Sequence, residues 1–459
     1  MTRATVAAGA FAVVFVLVAI GVGYVVLQQR ADPAASLSIA TTSETVAGEA
    51  HPSLLYGRIT VDGGTTYEGR LRWGGNQEAF WGDYFNGVKD QNPWASQVPP
   101  ERLRGTSQPI EIFGIELAKR ERPADLGRPF MARFGDISRI ELVGVDVRVT
   151  LKSGTVFDLD WNAFHDFDDG VRVWDGLQGV LDLAPAMPRA LPGTGADRIR
   201  AIDLLPAPGG GAIPPRLHGT VRTPQGAFSG FIQWNRNEGL GTDQLDGRTT
   251  GGPLSVRFDA IRSIARHSRD SSLVTLLDGR EVVLSGTAEA GRDNLGIYVD
   301  DQRYGRVLVS WDAFERLEFS PGASGPTYRD FPPGRPLTGI VTTRAGRRFA
   351  GRLVYDLDES ETTETLDAPS LGVDFTIPFG LIVSIVLPDR GEPGADRATV
   401  TLQSGEALQL ERAGDLGEGN AGMLIFINGS RQSEYVAWTD LERIDFQRPP
   451  SMYPPHGGR

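Results

Sequence analysis

This sequence predicts an all-β fold, an N-terminal transmembrane helix followed by three tandem β repeats, on three observations. Similar segments open at Leu55 (LYGRITVDGGTTYEGRLRW), Leu217 (LHGTVRTPQGAFSGFIQW) and Leu337 (LTGIVTTRAGRRFAGRLVY), and each continues in parallel for over a hundred residues. Self-similarity on that scale means one structural unit copied in tandem. Within each copy the apolar residues alternate with period two around Gly-bearing turns, as in Ile59, Val61, Tyr67, Leu71 and Trp73. Helical periodicity is missing after residue 30, apart from a short stretch at 116–122 where a helix is expected.

The register of the copies follows from matched pairs. Gly219 pairs with Gly339, Phe258 with Phe379, Asn294 with Asn420 and Trp311 with Trp438, at offsets of 120, 121, 126 and 127 residues. Copy one matches through Gly57, Trp73, Phe134, Ile137, Ile140 and Gly154, but carries an extra stretch of nearly 40 residues between Trp73 and Phe134. The expected organisation is a membrane segment at 1–30, a tether at 31–53, and repeats at 54–205, 206–320 and 335–448. The insertion in repeat 1 is expected at about 84–128, and a tail follows at 449–459. Pro/Gly-rich stretches at 206–215 and 320–336 read as linkers.

Each copy divides further. Its first half ends in an aromatic followed by aliphatics three and six residues on: Phe134, Ile137, Ile140; Phe258, Ile261, Ile264; Phe379, Ile382, Ile385. The second half ends alike at Trp311, Phe314, Leu317 and at Trp438, Leu441, Ile444; in copy one that ending is either RIRAIDLL at 198–205 or WNAF at 161–164. The runs VRVTLKSGTVFDL, SLVTLLDGREVVL and ATVTLQSGEALQL each place a two-residue Ser-Gly or Asp-Gly turn between alternating strands. Strand, turn, strand, a third strand or loop, a 3₁₀ turn and a last strand is a pattern that resembles the SH3-like and Sm-like small β-barrels. The resemblance implies a pair of small barrels in each repeat. A two-sheet sandwich per copy or a six-bladed propeller are the alternatives.

Composition narrows the function classes. The chain of 459 residues carries a net charge of −12 and no basic run, which argues against nucleic acid as a partner. It has no cysteine, so disulfides, thiolate metal sites and cysteine nucleophiles are excluded. Residues 4–27 form an uncharged apolar stretch of 24 residues, long enough to span a bilayer and longer than a cleavable signal core. With Arg3 before it and Asp32, Glu44 and Glu49 beyond, the expected arrangement is an uncleaved signal anchor with an exported body, periplasmic or extracellular. A cleaved signal peptide is the alternative.

None of the five histidines recurs between copies, and no HExxH, GxSxG or phosphate-loop motif occurs. What repeats is expected to be scaffold, including Trp73, Trp234, Tyr355, Trp311 and Trp438. Candidate binding residues therefore come from copy one: Glu78, Phe80, Trp81, Asp83, Tyr84, Phe85, Trp94 and His165. Rings beside carboxylates suit a saccharide or peptide site, and equally a local packing cluster. Asp166, Asp168 and Asp169 offer oxygen ligands for Ca²⁺, or else a solvated acidic loop. The acidic run Asp356, Asp358, Glu359, Glu361, Glu364 is expected to be a solvated hairpin.

The expected function is non-catalytic binding or scaffolding in the cell envelope, the partner being an envelope protein or a cell-wall glycan. Two alternatives stand beside it. One is a carbohydrate-active hydrolase with Glu78 and Asp83 paired across a cleft at ~5 to 10 Å; the other is a purely structural spacer.

Overall fold

A computed structural model describes residues 50–74, 77–98, 107–112, 115–121, 129–185, 198–209, 216–321, 325–389, 394–427 and 433–447. The expected membrane span at 4–27 lies outside them, and among the described residues no helix is long and apolar enough to cross a membrane. The described chain is all-β, in several antiparallel sheets.

Repeat 1 begins with β1 (Tyr56–Val61), β2 (Thr66–Trp73), β3 (Tyr84–Val88), β4 (Ser107–Ile112), β5 (Ile115–Glu121) and β6 (Pro129–Arg133). After a 3₁₀ turn at Phe134–Asp136 come β7 (Ile137–Val143), β8 (Asp146–Leu151), β9 (Val156–Leu159), β10 (Val171–Asp175), β11 (Gly179–Leu183) and β12 (Ile199–Leu204). Repeat 2 has β13 (His218–Thr223), β14 (Gly226–Gln233), β15 (Gln244–Thr249) and β16 (Gly252–Arg257), then the turn Phe258–Ala260. It continues through β17 (Ile261–Ser268), β18 (Ser271–Leu276), β19 (Glu281–Ser285), β20 (Ile297–Asp301), β21 (Gly305–Val309) and β22 (Arg316–Phe319). Repeat 3 has β23 (Thr338–Thr343), β24 (Arg348–Tyr355), β25 (Thr365–Ser370) and β26 (Val373–Pro378), then the turn Phe379–Leu381. Its remaining strands are β27 (Ile382–Val386), β28 (Arg397–Leu402), β29 (Ala407–Glu411), β30 (Met423–Ile427), β31 (Ser433–Val436) and β32 (Leu441–Phe446).

The strands of one repeat do not pair in the order of its sequence halves. In repeat 2 one run of neighbours is β22-β13-β14-β20-β21 and the other is β16-β15-β19-β18-β17, joined where β17 pairs β22. The second run is contiguous in sequence and sits between β14 and β20, so one five-stranded unit is nested inside the other. Repeats 1 and 3 follow the same plan through β12-β1-β2-β10-β11 and β32-β23-β24-β30-β31. Glycines make the crossover possible: a Cβ on Gly69, Gly230 or Gly351 would lie 1.9, 2.1 or 2.1 Å from the carbonyl oxygen of Trp174, Asp300 or Phe426 on the incoming strand. Only a residue without a side chain tolerates so close an approach.

Four readings of the sequence change. The stretch expected as helix is strand as far as it is described, since β5 (Ile115–Glu121) pairs β4. RIRAIDLL, and not WNAF, closes repeat 1, because β12 pairs β1 and β7 as β22 pairs β13 and β17. The second-half hairpins have three-residue loops: Gly154, Gly279 and Gly405 donate to the carbonyls of Leu151, Leu276 and Leu402 and alone take positive φ, at 87°, 90° and 89°. Aspartate or serine before the glycine sits in an ordinary turn conformation, so only the glycine is left-handed. Lastly, Tyr84–Val88 pairs with Pro129–Arg133 as a hairpin matching β15-β16, and the extra residues of repeat 1 leave and return at its tip.

Repeats 2 and 3 share one hydrophobic core, which runs continuously through Phe228, Tyr304 and Phe375. Their sheets also join, because β26 pairs β21. Repeat 1 has its own core, to which the linker residues Tyr328 and Phe331 belong.

Candidate functional site

The same local construction follows the second strand of every repeat. Trp73, Trp234 and Tyr355 are fully buried, and each anchors its polar atom on a carbonyl: Asp166 at 2.7 Å, Glu289 at 3.0 Å and Asp415 at 2.8 Å. A tight turn comes next, and then a carboxylate gathers two backbone N–H groups. Asp83 accepts from Glu78 and Ala79 at 2.9 and 2.8 Å, Asp243 from Gly239 and Leu240 at 2.9 and 2.8 Å, and Glu364 from Ser360 and Glu361 at 2.6 and 2.9 Å. The other carboxylates recur too: Asp166, Glu289 and Asp415 accept the N–H of Asn86, Asp246 and Asp367. Asp83 and Asp166, which looked peculiar to copy one, thus hold positions filled by acids in all three copies.

The turns of repeats 1 and 2 face each other across a polar cleft of about 330 Å³. Repeat 1 contributes Arg72, Glu78 and Asp83, and repeat 2 contributes Arg216, Gln233, Glu238, Asp243 and Glu289. Glu78 is held by the buried Arg70 and, at 3.0 Å, by Arg72. The remaining oxygen of Asp83 accepts from Gln233 of repeat 2. Arg216 is buried with its guanidinium 4.1 Å from the Phe231 ring, and its Nη1 has no hydrogen-bond partner. Burial lowers its pKa, against the pull of Asp83, Asp300 and Glu78. Burial first, and Glu289 second, push the Glu238 carboxyl up to about 7, and its Oε2 is unpartnered. Behind the cleft, Arg306 donates to Asp300 at 3.0 Å and lies 4.5 Å from the Tyr84 ring.

The other residues singled out from the sequence go to separate places. Phe80 is fully buried against Tyr328, centroids 4.9 Å apart, and half-buried Trp81 packs on Phe331 at 6.1 Å and Arg133 at 5.1 Å. Phe85 meets Trp73 edge-on at 5.3 Å in the core. Trp94 lies at the repeat 1–repeat 3 boundary, 5.8 Å from Phe426 and 5.2 Å from Arg352. His165 is buried beside Trp161 at 5.0 Å, with neither ring nitrogen hydrogen-bonded. Glu78 and Asp83 alone of the set line the cleft.

Asp166 is buried and bonded to Asn86 through both its backbone and side-chain nitrogens, at 2.7 and 2.8 Å. Burial raises its pKa to about 6, while Asp168 and Asp169 are exposed. Among the described residues no group of three His, Asp or Glu side chains is arranged to hold a metal ion. The acidic run of repeat 3 is not a solvated hairpin. Asp356, Asp358, Glu361 and Glu364 are buried, and Lys89 of repeat 1 pairs with Asp358 at 2.8 Å and Glu364 at 3.2 Å. A carboxylate-rich turn is buried only with such a counter-charge, and the one it uses lies some 270 residues away in sequence.

Comparison with protein-family models and with curated proteins finds no match. A solved structure described as streptogramin B lyase is similar at 9% identity, over 68% of this chain and 94% of that one, with a TM-score of 0.09. So low a score carries no argument. The site therefore rests on its own geometry.

Sequence reasoning missed Arg216, Glu238, Asp300 and Arg306. A signal was present in the residue four after each second-strand aromatic, Gln77 after Trp73, Glu238 after Trp234 and Glu359 after Tyr355, which closes the same tight turn in all three repeats. Chemically, the cleft offers guanidinium donors from Arg72 and Arg216 beside carboxyl acceptors, a set that suits hydroxyls, amides or a polar peptide.

Proposed function

We propose that this is a non-catalytic binding or scaffolding protein of the cell envelope, anchored by its N-terminal segment, with an exported body that recognises an envelope protein or a cell-wall glycan through the cleft between repeats 1 and 2. The observation that carries this reading is the engagement of Glu78 and Asp83. Both bind framework donors, whereas the other charged groups that line the cleft, Arg216, Glu238 and Glu289, come from repeat 2 and leave it a polar surface suited to a ligand's hydrogen bonds. In every repeat the inner unit has a 3₁₀ turn before its third strand, β7, β17 or β27, and in repeats 2 and 3 the outer unit has a tight or 3₁₀ turn before its last strand, β22 or β32, which supports reading the repeats as pairs of SH3-like small barrels.

The test is titration of the full chain with soluble cell-wall glycan fragments and with purified envelope proteins. Arg216→Ala combined with Glu238→Gln should abolish binding, with Trp161→Ala as the unaffected control. Binding indifferent to the cleft variants overturns the assignment. Location is tested separately: because the chain has no cysteine, Ser36→Cys gives a single thiol, and a membrane-impermeant maleimide should label it in intact cells if the body is exported.

A hydrolase reading is favoured by one observation, the raised Glu238 carboxyl beside Glu289. A carboxyl that titrates near neutrality can serve as a general acid. Turnover of chromogenic glycosides lost in Glu238→Gln would establish it.

A further inference from the structure

A groove recurs at the same place in each repeat, between the start of the first strand, the 3₁₀ turn and the end of the last strand. In repeat 3 its floor is Leu337, Phe379, Ile382 and Phe446, enclosing about 340 Å³. In repeat 2 the floor is Leu217, Phe258, Ile261 and Phe319, enclosing about 320 Å³. No described residue fills either. In repeat 1 the groove is occupied by the chain itself, by the turn that follows repeat 2.

That occupant is Thr327–Phe331. Asp330 accepts from both the N–H and the hydroxyl of Thr327, at 2.8 and 2.9 Å, and so ties the turn to itself. The Tyr328 hydroxyl donates to the Ile137 carbonyl at 2.8 Å, and its ring lies on Phe80. Phe331 lies flat on Gly135, with ring atoms 2.4 Å from where a Cβ would stand. Lys152 Nζ donates to the Tyr328 carbonyl and, at 3.1 Å, to the Phe331 carbonyl. Two rings three residues apart, a glycine seat and a donor for the turn's carbonyls are the requirements of this groove.

Repeats 2 and 3 differ in whether they meet them. Lys152, Leu277 and Gln403 are equivalent, because the N–H of each donates to the third residue of its 3₁₀ turn: Asp136 at 2.8 Å, Ala260 at 2.9 Å and Leu381 at 2.8 Å. The glycine seat corresponds to Asp259 in repeat 2 and to Gly380 in repeat 3. Repeat 2 therefore has a carboxylate where the ring would lie and a leucine where the donor would be. Repeat 3 keeps both, with Gly380 as the seat and the Gln403 amide as the donor, one N–H of that amide being bonded to the Gly380 carbonyl and the other left for the turn.

We infer that the repeat 3 groove is a docking site for a peptide turn of a partner protein that carries two aromatic residues three apart, of the form Tyr-x-x-Phe followed by proline. The chain's own turn of this form is already seated in repeat 1, and residues 448–459 carry Tyr453 with His456, and no second phenylalanine or tyrosine, three residues on. The site is separate from the inter-repeat cleft and stands or falls independently of it.

The experiment uses the full chain in detergent and a fluorescent synthetic peptide of sequence GPTYRDFPP, read by polarisation. The expected result is saturable binding, weakened at least about 30-fold when either ring of the peptide is replaced by alanine, consistent with the loss of a buried aromatic. Gly380→Leu should abolish binding. Gln403→Leu should weaken it about 3- to 10-fold through one lost hydrogen bond, with an unchanged urea midpoint showing that loss of its bond to the Gly380 carbonyl leaves the fold intact. Asp259→Gly with Leu277→Lys should create a second site in repeat 2. Binding that ignores both Gly380→Leu and Gln403→Leu overturns the inference, as does binding that emerges only after residues 448–459 are removed, since the groove would then belong to the chain's own segment.

Discussion

Lys89 Nζ donates to Asp358 Oδ1 at 2.8 Å, joining the hairpin tip of repeat 1 to the acidic turn of repeat 3. Both side chains are buried, and the ammonium also reaches Glu364 at 3.2 Å. The neighbouring carboxylates raise the Lys89 pKa in spite of its burial. Removing one partner of a buried pair leaves the other charge uncompensated. Lys89→Met should therefore cost about 3–5 kcal/mol in urea unfolding, and the double variant Lys89→Met with Asp358→Leu should recover part of that loss.

The acidic cluster behind this pair sets a pH dependence. Burial, with Asp367, Asp356 and Asp358 nearby, pushes the Asp415 carboxyl from 3.8 to about 8, and burial with Asp358 raises Glu359 in the same direction. A carboxyl whose folded pKa is raised stays protonated in the folded state while the unfolded chain ionises. Its contribution to stability therefore falls as pH rises from about 4 to about 8. Lys89 stays charged throughout that window and adds no slope. Asp415→Asn, which keeps an acceptor for the Asp367 N–H, should flatten the decline in denaturation midpoint between pH 5 and 8.

Phe331 clamps the linker after repeat 2 onto repeat 1. Its ring is 5% exposed, lies flat on Gly135 and touches Trp81. Phe331→Ala should destabilise by about 3 kcal/mol, and limited proteolysis should cut within 320–336 at a protease concentration that leaves the wild type intact. Gly135→Val should give the same cleavage pattern by filling the seat from the opposite side.

The carboxylate that follows each tight turn should matter alike in all three repeats. Asp83→Ala leaves the Glu78 and Ala79 N–H groups unpaired, and Asp243→Ala does the same for Gly239 and Leu240. Each unsatisfied buried donor costs about 1–3 kcal/mol, so both variants should lose roughly 2–6 kcal/mol by chemical denaturation. If Asp83→Ala changed ligand binding and left stability untouched, Asp83 would be a ligand contact and not part of the framework.

These relationships also show what the sequence could disclose. The buried aromatics were legible: Trp73, Trp234 and Tyr355 recur in register, and a large ring on an alternating strand belongs inside. The 3₁₀ turns were legible from the spacing of Phe134, Ile137 and Ile140. Pairing was not, because period-two alternation fixes which face a strand buries but not its neighbour, so nothing in β14 reveals that it pairs β20. Subtracting one copy from another also failed for Asp83. Its equivalents are Asp243 and Glu364, but Asp83 lies five and four residues after the two N–H groups it gathers, whereas Asp243 and Glu364 lie four and three residues after theirs, and the third acid is a glutamate. The buried acids of repeat 3 escaped for a different reason: their counter-ion, Lys89, lies in another repeat, and no local pattern carries such a pairing.

The ladder between β21 and β26 has a consequence for any attempt to divide the chain. Within the body, Val307 and Val309 face Phe375 and Val373 across that ladder, and every N–H and C=O along the strand is directed toward a neighbour on one side or the other. A fragment ending after repeat 2 would present Gly305–Val309 as a naked border, short, apolar and open to the first extended chain it meets. Such a border recruits copies of itself. Repeat 3 is thus also the cover that keeps repeat 2 from polymerising, and recombinant fragments should be cut outside the pair, never between its members.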